Sequence, residues 1–542
     1  MFRPLLATWV ATAAAVGTAA AADKAPDPMP TVLVLPAEGE GRALGDVGDA
    51  VQLRILGVLR AAGGMNVVHP KMYLRVMERY AARLSRVEDE KRIQALGEIV
   101  GADVVVSSLV RPREDETVIE IGATPVVYEG LGGDATRGRA SGSKLMDALN
   151  AIPGPMLTLL KGTGRVPERK TPDIEQVGPR TDSQEALLEY SACSVALMAQ
   201  PMGLRNPIVV DEAVLDQAEE LCRKAIAQDA DFVDPHAELA LIGALRGERQ
   251  KAEAELRKAK TAKTFNSSYW LAKFWVLSRY YDVELALDTL EAAIDAHPGF
   301  MLGRGYLGEA LVALGRPKAA QRAFERYLAA SPRQSWVMGQ IGYALSKQRE
   351  YEAAIEWTEK GLRTRPGDPE LLLQLASRFI DAGRHAEAVT LLKRVISEGG
   401  ARGEVHLRLG YAHLKLGRYN EAEREMRTAI LEADGSAEWR TRGRARYNLA
   451  RLWLESGSPG NAMRQLRMAF KEGFRDPAAL AHPKMAGLRE HPGYEQLVGT
   501  APREGISPEY VSPLGKTSEA GDLVPDTQKR GDDVDASILE QF

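Results

Sequence analysis

The chain has 542 residues but only two cysteines, Cys193 and Cys222. That is too few for a disulfide-stapled fold, and two thiolates alone cannot build a zinc site. It has no excess of either charge: 70 Lys and Arg stand against 74 Asp and Glu, a formal net charge of −4. Domains that follow a phosphate backbone carry a basic excess, so nucleic acid is not expected as a partner. Beyond residue 22 no apolar run reaches the roughly 20 residues that a membrane-spanning helix needs. Catalytic signatures are missing as well. There is no Gly-x-Ser-x-Gly elbow and no His-Glu-x-x-His pair. Gly39-Glu40-Gly41 has Leu44 where a dinucleotide fingerprint needs its third glycine, and Gly162-Thr163-Gly164-Arg165 lacks the P-loop lysine. Both read as turns. His406 and His413 lie seven apart with no third ligand and read as solvated or groove-lining residues. No catalytic, cofactor-binding or metal-binding residue is assigned, and the chain reads as a non-enzyme.

What is present begins with a leader. Met1-Phe2-Arg3 is a short positive start, an apolar run extends from Pro4 to Ala22, and Ala20-Ala21-Ala22 precedes polar Asp23-Lys24. This is the layout of a secretory signal peptide over residues 1–22. An uncleaved anchor is the alternative, but alanine and threonine make the run weakly apolar. No cysteine follows the cleavage point, so no lipid anchor is expected there. The mature chain is therefore expected in the periplasm. An oxidising compartment permits Cys193 and Cys222 to pair; two buried thiols acting as small hydrophobes is the reading favoured here.

The remaining composition, 45% hydrophobic, 27% charged and only 6% aromatic, suits a folded, helix-rich chain of two or more domains. Its helices repeat. Ala218, Ala252, Ala286, Ala320, Ala354, Ala388 and Ala422 lie 34 residues apart, and Ala462 resumes the series after six extra residues. Gly247, Gly315, Gly383, Gly417 and Gly457 sit five residues before those alanines, with Tyr281 and Arg349 in the gaps, and Pro298, Pro332 and Pro366 close three units. Followers at four and then seven residues after each alanine, such as Leu256 and Ala259, keep one face of a helix apolar. The small alanine lets a partner helix approach, glycine ends the first helix of each pair, and proline closes the unit. Each unit is then a helix hairpin that buries its apolar face only against its neighbours, which makes the array a superhelical solenoid.

These positions resemble the tetratricopeptide repeat. Leu307-Gly308 with Gly315, Ala320, Phe324 and Pro332 is the cleanest copy; Ile341-Gly342 with Tyr351 and Ala354, and Leu409-Gly410 with Gly417, Tyr419 and Ala422, are others. The resemblance covers about eight hairpins over residues 183–470, with insertions at Pro201–Val210 and Ala433–Arg442. It implies a concave groove lined by the second, fifth, ninth, twelfth and thirteenth positions of each first helix. Carried over, those positions give Trp275, Arg279, Trp336, Tyr343, Lys347, Tyr411, Lys415, Arg444, Tyr447 and Arg451. Aromatic rings beside cations suit an extended peptide with acidic groups. Packing between hairpins is the alternative use of the rings.

Residues 30–164 read differently. Thr31–Pro36, Asn66–His69, Ala102–Val110 and Thr117–Val127 have strand patterns, and Val47–Leu59, Glu90–Val100 and Lys144–Leu160 have helical spacing. The alternation predicts a small α/β domain. The opening strand ending in Leu35-Pro36 and the run Gly101-Ala102-Asp103-Val104-Val105 resemble the N-terminal domain of TolB and the FlgO-like and CsgG-like envelope domains. That resemblance implies attachment to an envelope machine. Residues 165–182 are expected as a linker, 471–498 as a C-terminal cap carrying His482-Pro483 and His491-Pro492, and 499–542 as a disordered tail. The fold expected is mainly α, a solenoid preceded by a small α/β domain. The function expected is an exported scaffold for protein–protein interactions in a bacterial envelope complex, with a periplasmic module that binds cell-wall glycan as the alternative.

Overall fold

The structure, a computed structural model, describes residues 28–39, 45–70, 87–113, 115–128, 134–198, 212–260, 265–397, 402–433, 439–472 and 491–499. It also describes scattered positions between 73 and 85, residues 400 and 474, and 485–489. The leader, the Pro201–Val210 insertion, His482-Pro483, most of the Gly39–Leu44 turn and the tail beyond 499 lie outside the described residues.

The N-terminal part is one mixed sheet with helices. Its strands are β1 (Thr31–Val34), β2 (Glu38–Gly39), β3 (Asn66–Val67), β4 (Val104–Pro112), β5 (Thr117–Pro125) and β6 (Thr136–Gly142). The order is β3-β1-β4-β5-β6. β1 pairs in parallel with β3 and β4, whereas β4–β5 and β5–β6 are antiparallel. All four residues of β1 are buried, as an inner strand covered on both faces requires. β2 continues along β4 beyond β1, pairing Glu38 with Leu109; Pro36, which has no N–H to donate, lies at the break. The edge strand β6 has no expectation behind it. Its sequence, TRGRASG, is poor in strand formers and alternates half-buried with exposed residues, the polar edge that blocks unwanted pairing. The helix expected over Lys144–Leu160 is two, Leu145–Asn150 and Pro153–Gly162, because Pro153 starts a new helix at its first turn.

From Gln184 onward the structure is the expected mainly α solenoid. Its first helices are Gln184–Met198, Asp234–Arg246, Ser267–Tyr280, Met301–Ala313, Ser335–Lys347, Pro369–Asp381, Gly403–Lys415 and Trp439–Glu455. Each is followed by its antiparallel partner, among them Val283–Ala296, Pro317–Ala330 and Tyr351–Thr364. The periodic alanines from Ala218 to Ala462 are all at 0% exposure, because helix pairs close over them. Gly247, Gly315, Gly383, Gly417 and Gly457 have φ between 69° and 80°, the left-handed turn that ends a helix cheaply. Arg349 takes the same conformation at φ 63° without being glycine. Tyr281 does not; there the next helix is started instead by Asp282, whose side chain accepts from Leu285 N at 2.9 Å.

Cys193 and Cys222 form a disulfide across the first hairpin, their Cα atoms 5.5 Å apart. This corrects the expectation of two thiols: the helices bring both side chains, fully buried, within bridging distance.

The sheet is joined to the solenoid along one edge. Helix Asp89–Val100 ends in three carbonyls that have no partner within the helix. Gln334 Nε2 donates to the carbonyl oxygens of Val100 (2.9 Å) and Gly101 (3.4 Å), and Arg365 Nη1 donates to that of Ile99 (2.7 Å). Arg333 pairs with Asp103 and lies over the Tyr128 ring at 4.4 Å. Met29 N and Asn66 Nδ2 both donate to Ala330 O. Gly101 is left-handed, and a Cβ there would collide with the Arg333 carbonyl. Asp368, 1% exposed, caps helix Pro369–Asp381 through Glu370 N and Leu371 N, pairs with Arg365 at 2.6 Å, and accepts from Tyr80 of the sheet domain at 2.8 Å. The partners are loops between successive hairpins, so the solenoid offers its loop edge and the domain offers the start of β1, β3 and β4. Helix Gly45–Ala62 packs on Gln184–Met198. Residues 165–182 follow the same seam: Val166 and Val177 are buried, and Arg54 Nη1 donates to Val177 O at 3.5 Å. One buried apolar core runs through both parts, from Val32 to Ala354.

Two outcomes are expected. Arg349→Gly raises unfolding stability by roughly 1 kcal/mol, because a non-glycine residue pays for the left-handed turn; urea unfolding measures it. Asp368→Ala costs about 3 kcal/mol or more, since it removes a cap and strands Arg365. Asp368→Asn, which keeps the cap, costs clearly less, and hydrogen exchange at the start of β4 quickens only for the alanine variant.

Candidate functional site

The ten groove positions separate into four groups. Trp275, Tyr447 and Arg451 are 2%, 7% and 5% exposed; they pack inside the array and offer no face to a ligand. Trp336 belongs to the seam. Its Nε1 donates to Gln334 Oε1 at 3.0 Å, and its ring meets Tyr327 edge-on at 5.4 Å. Arg279 donates to Ala244 O at 3.0 Å and so bridges two hairpins. The remaining residues form a ladder. Tyr343 lies between Lys347 Nζ, 5.3 Å from the ring centre, and Arg378, 5.2 Å from it and contributed by the next hairpin. Tyr411 and Lys415 repeat the pair at 5.4 Å. Tyr343 and Tyr411 are partly exposed, and Lys347, Lys415 and Arg444 are exposed. Acidic groups intervene: Asp381 accepts from Ser346 at 2.5 Å, and Glu404 pairs with Arg408 at 2.6 Å.

The floor beside Tyr343 is shaped by two glycines one repeat apart. Trp336 lies over Gly305 and Gln374 over Gly339, where a Cβ would meet each side chain. Arg378, which sequence reasoning missed, enters because it follows the ninth helix position of its repeat by one residue, and no fixed-position rule finds it. The histidine expectation is corrected. His406 Nδ1 contacts Glu425 Oε2 at 2.8 Å, and His413 is 3% exposed. His236 and Glu255 form the same bridge five repeats earlier, at 2.5 Å, so this pair links the two helices of a hairpin. Gly164 has φ 68° after the helix Pro153–Gly162, an ordinary turn.

A second concentration of polar groups lies in the seam. Glu238, 2% exposed, accepts from Tyr190 Oη at 3.4 Å and Ser194 Oγ at 3.3 Å through Oε1. Asp234, 6% exposed, accepts from Asn266 Nδ2 and Arg180 N, both at 3.3 Å. Burial raises the pKa of both carboxyls, Glu238 to about 7, with the Asp234 charge adding to the effect. Among the described residues no group of three or more His, Cys, Asp or Glu is placed to hold a metal, and no helix is long and apolar enough to cross a membrane.

Comparison with known proteins bears on the helical array. Models of the tetratricopeptide repeat match residues 281–332, 307–369 and 379–442. The chain carries tetratricopeptide repeats. A 116-residue stretch is 26% identical to cellulose synthase operon protein C of Pseudomonas fluorescens, covering 21% of this chain and 9% of that protein. A tetratricopeptide-repeat protein from Parabacteroides merdae aligns with TM-score 0.35 and 15% identity, covering 52% of this chain and 94% of its own. A thermophilic one from Thermus thermophilus aligns with TM-score 0.31 and 22% identity, covering 35% and 98%. The tetratricopeptide-repeat fold is generally non-catalytic and mediates protein–protein interactions.

The buried carboxyl sets a pH dependence. Unfolded, Glu238 ionises near 4.5; folded, it keeps its proton to about 7. Between those values the folded state holds a proton that the unfolded state has lost, so stability falls as pH rises and levels off above 7. The groups facing Glu238 are Arg60, Tyr190, Ser194, Asp234 and Ser268. Glu238→Gln removes the dependence. Its stability relative to wild type is expected to rise by roughly 3 kcal/mol between pH 4.5 and 7, as read from urea unfolding at both pH values.

Proposed function

We propose that this chain is an exported scaffold whose concave face binds an extended segment of a partner protein within a bacterial envelope complex. The observation that carries the reading is the ladder of Tyr343 with Lys347 and of Tyr411 with Lys415 on helices of the repeat array; Arg378, buried, backs the Tyr343 ring. Rings flanked by cations favour a segment in which acidic or carbonyl groups alternate with apolar side chains. Asp381 and Glu404 keep the face mixed in charge, so register decides which segment fits.

Export is supported by the leader and by the Cys193–Cys222 disulfide, which persists where thiols are not kept reduced. The N-terminal domain resembles the TolB, FlgO-like and CsgG-like envelope domains in Leu35-Pro36 and Gly101-Ala102-Asp103. Gly101 and Asp103 are spent on the solenoid seam. An envelope partner of this domain therefore meets its other end, where β4 runs out at Pro112 and β5 begins at Thr117.

Crosslinking in intact cells followed by affinity purification tests the groove. The mature protein is compared with Tyr343→Ala/Lys347→Glu/Tyr411→Ala. Loss of two aromatic anchors is expected to weaken the captured partner by about 2 kcal/mol or more, roughly 30-fold, with the circular dichroism of the variant unchanged. Equal capture by both proteins removes the groove as the binding face.

A further inference from the structure

Two cavities open side by side in the seam. One, of about 250 Å³, is bounded by helix Gly45–Ala62, the Gln176–Pro179 segment and the helices that begin at Gln184, Asp234 and Ser267. The other, of about 150 Å³, lies between Gly63–Val67 and the loop Pro298–Leu302. Arg60, Phe265, Ser267 and His297 line both, so they form one cleft with Arg60 at its waist.

The two compartments differ in chemistry. The larger holds the carboxyls of Asp234 and Glu238 with Tyr190, Ser194 and Asn266. The hydrogen bonds that Tyr190, Ser194 and Asn266 donate there, 3.3–3.5 Å long, are at the weak end of the range. The smaller is walled by Met65, Val67, Phe300, Met301 and Leu302. Arg60 is partly buried. Glu238 and Tyr190 act on it electrostatically, yet among the described residues no ion pair joins Arg60 to either carboxyl. A guanidinium and two buried carboxyls that line one cleft without pairing are costly to ionise unless a third party satisfies them. A ligand with its own separated charges does so at both ends.

We infer that this cleft binds a zwitterionic amino acid or short peptide with an apolar side chain. Its carboxylate lies on Arg60, its ammonium lies on Glu238 and Asp234, and its side chain enters the Met65–Phe300 compartment. Domain interfaces are a preferred place for such pockets. The bound ligand touches the sheet domain through Arg60 and Met65 and the solenoid through Glu238 and Phe300, so binding tightens the seam.

The full mature chain is tested by calorimetry and thermal unfolding with L-leucine, D-leucine and leucyl-leucine. 4-Methylpentanoate supplies the carboxylate alone and isoamylamine the ammonium alone. At least one zwitterion is expected to bind saturably and raise the melting temperature. Its affinity should fall at least tenfold in Arg60→Met and, separately, in the isosteric Glu238→Gln, while both single-charge analogues bind at least tenfold more weakly. If no zwitterion binds, the cleft is a hydrated joint and the inference fails. It fails equally if Glu238→Gln binds as well as wild type, or if the amine alone matches the amino acid.

Discussion

A helix cannot leave its last carbonyls unpaired in a buried place, and that constraint organises the joint on which the rest of this molecule depends. Helix Asp89–Val100 ends against the solenoid, where Ile99, Val100 and Gly101 receive N–H groups from Arg365 and Gln334. A guanidinium at this end also meets the negative pole of the helix dipole. The same loops supply Arg333 for Asp103 and Ala330 O for Met29 and Asn66. Polar satisfaction thus sets the register, and the shared apolar core makes the docking stable. A sheet domain tethered by a flexible linker would need none of these contacts.

The joint changes what the array can do. Docking on the loop edge occupies that flank of the hairpins between Asp234 and Asp368 and engages Trp336 through Gln334. It leaves the face carrying Tyr343, Lys347, Tyr411 and Lys415 accessible. Sheet domain and leading hairpins share a continuous core, so packing fixes the angle between the Tyr343 face and the far end of the sheet.

Much of the array was legible because a 34-residue period constrains many positions at once. Alanine at the helix crossing and glycine at the left-handed turn are each dictated by local geometry that repeats. Arg349 shows the limit: the turn is imposed by the fold, so a residue that pays for it is tolerated. The groove was less legible. A position rule names the residues that face inward but not how deeply neighbours cover them, and Trp275 and Arg451 are covered. Trp336 obeys the rule, yet its Nε1 holds Gln334, which serves a helix end more than 200 residues earlier in the chain. Strand β6 was missed because an edge strand is selected for charge, which erases the pattern that identifies inner strands. The disulfide depended on how two helices face each other across an insertion, which spacing alone does not reveal.

The apolar core of the array is not continuous, and its break falls where recognition is proposed. The common core that starts at Val32 extends to Ala354; beyond it the buried apolar groups fall into separate clusters, one from Ile355 to Ala412 and smaller ones towards Tyr494. In a repeat array each hairpin is held by its own packing and its neighbours, so hairpins beyond the common core have no direct support from the sheet domain. Tyr343 stands near the end of the shared core, and Tyr411 lies beyond it. A segment that spanned both would bridge the docked and the undocked hairpins. The recognition proposed at Tyr411 would thereby depend on the repeats between it and the seam.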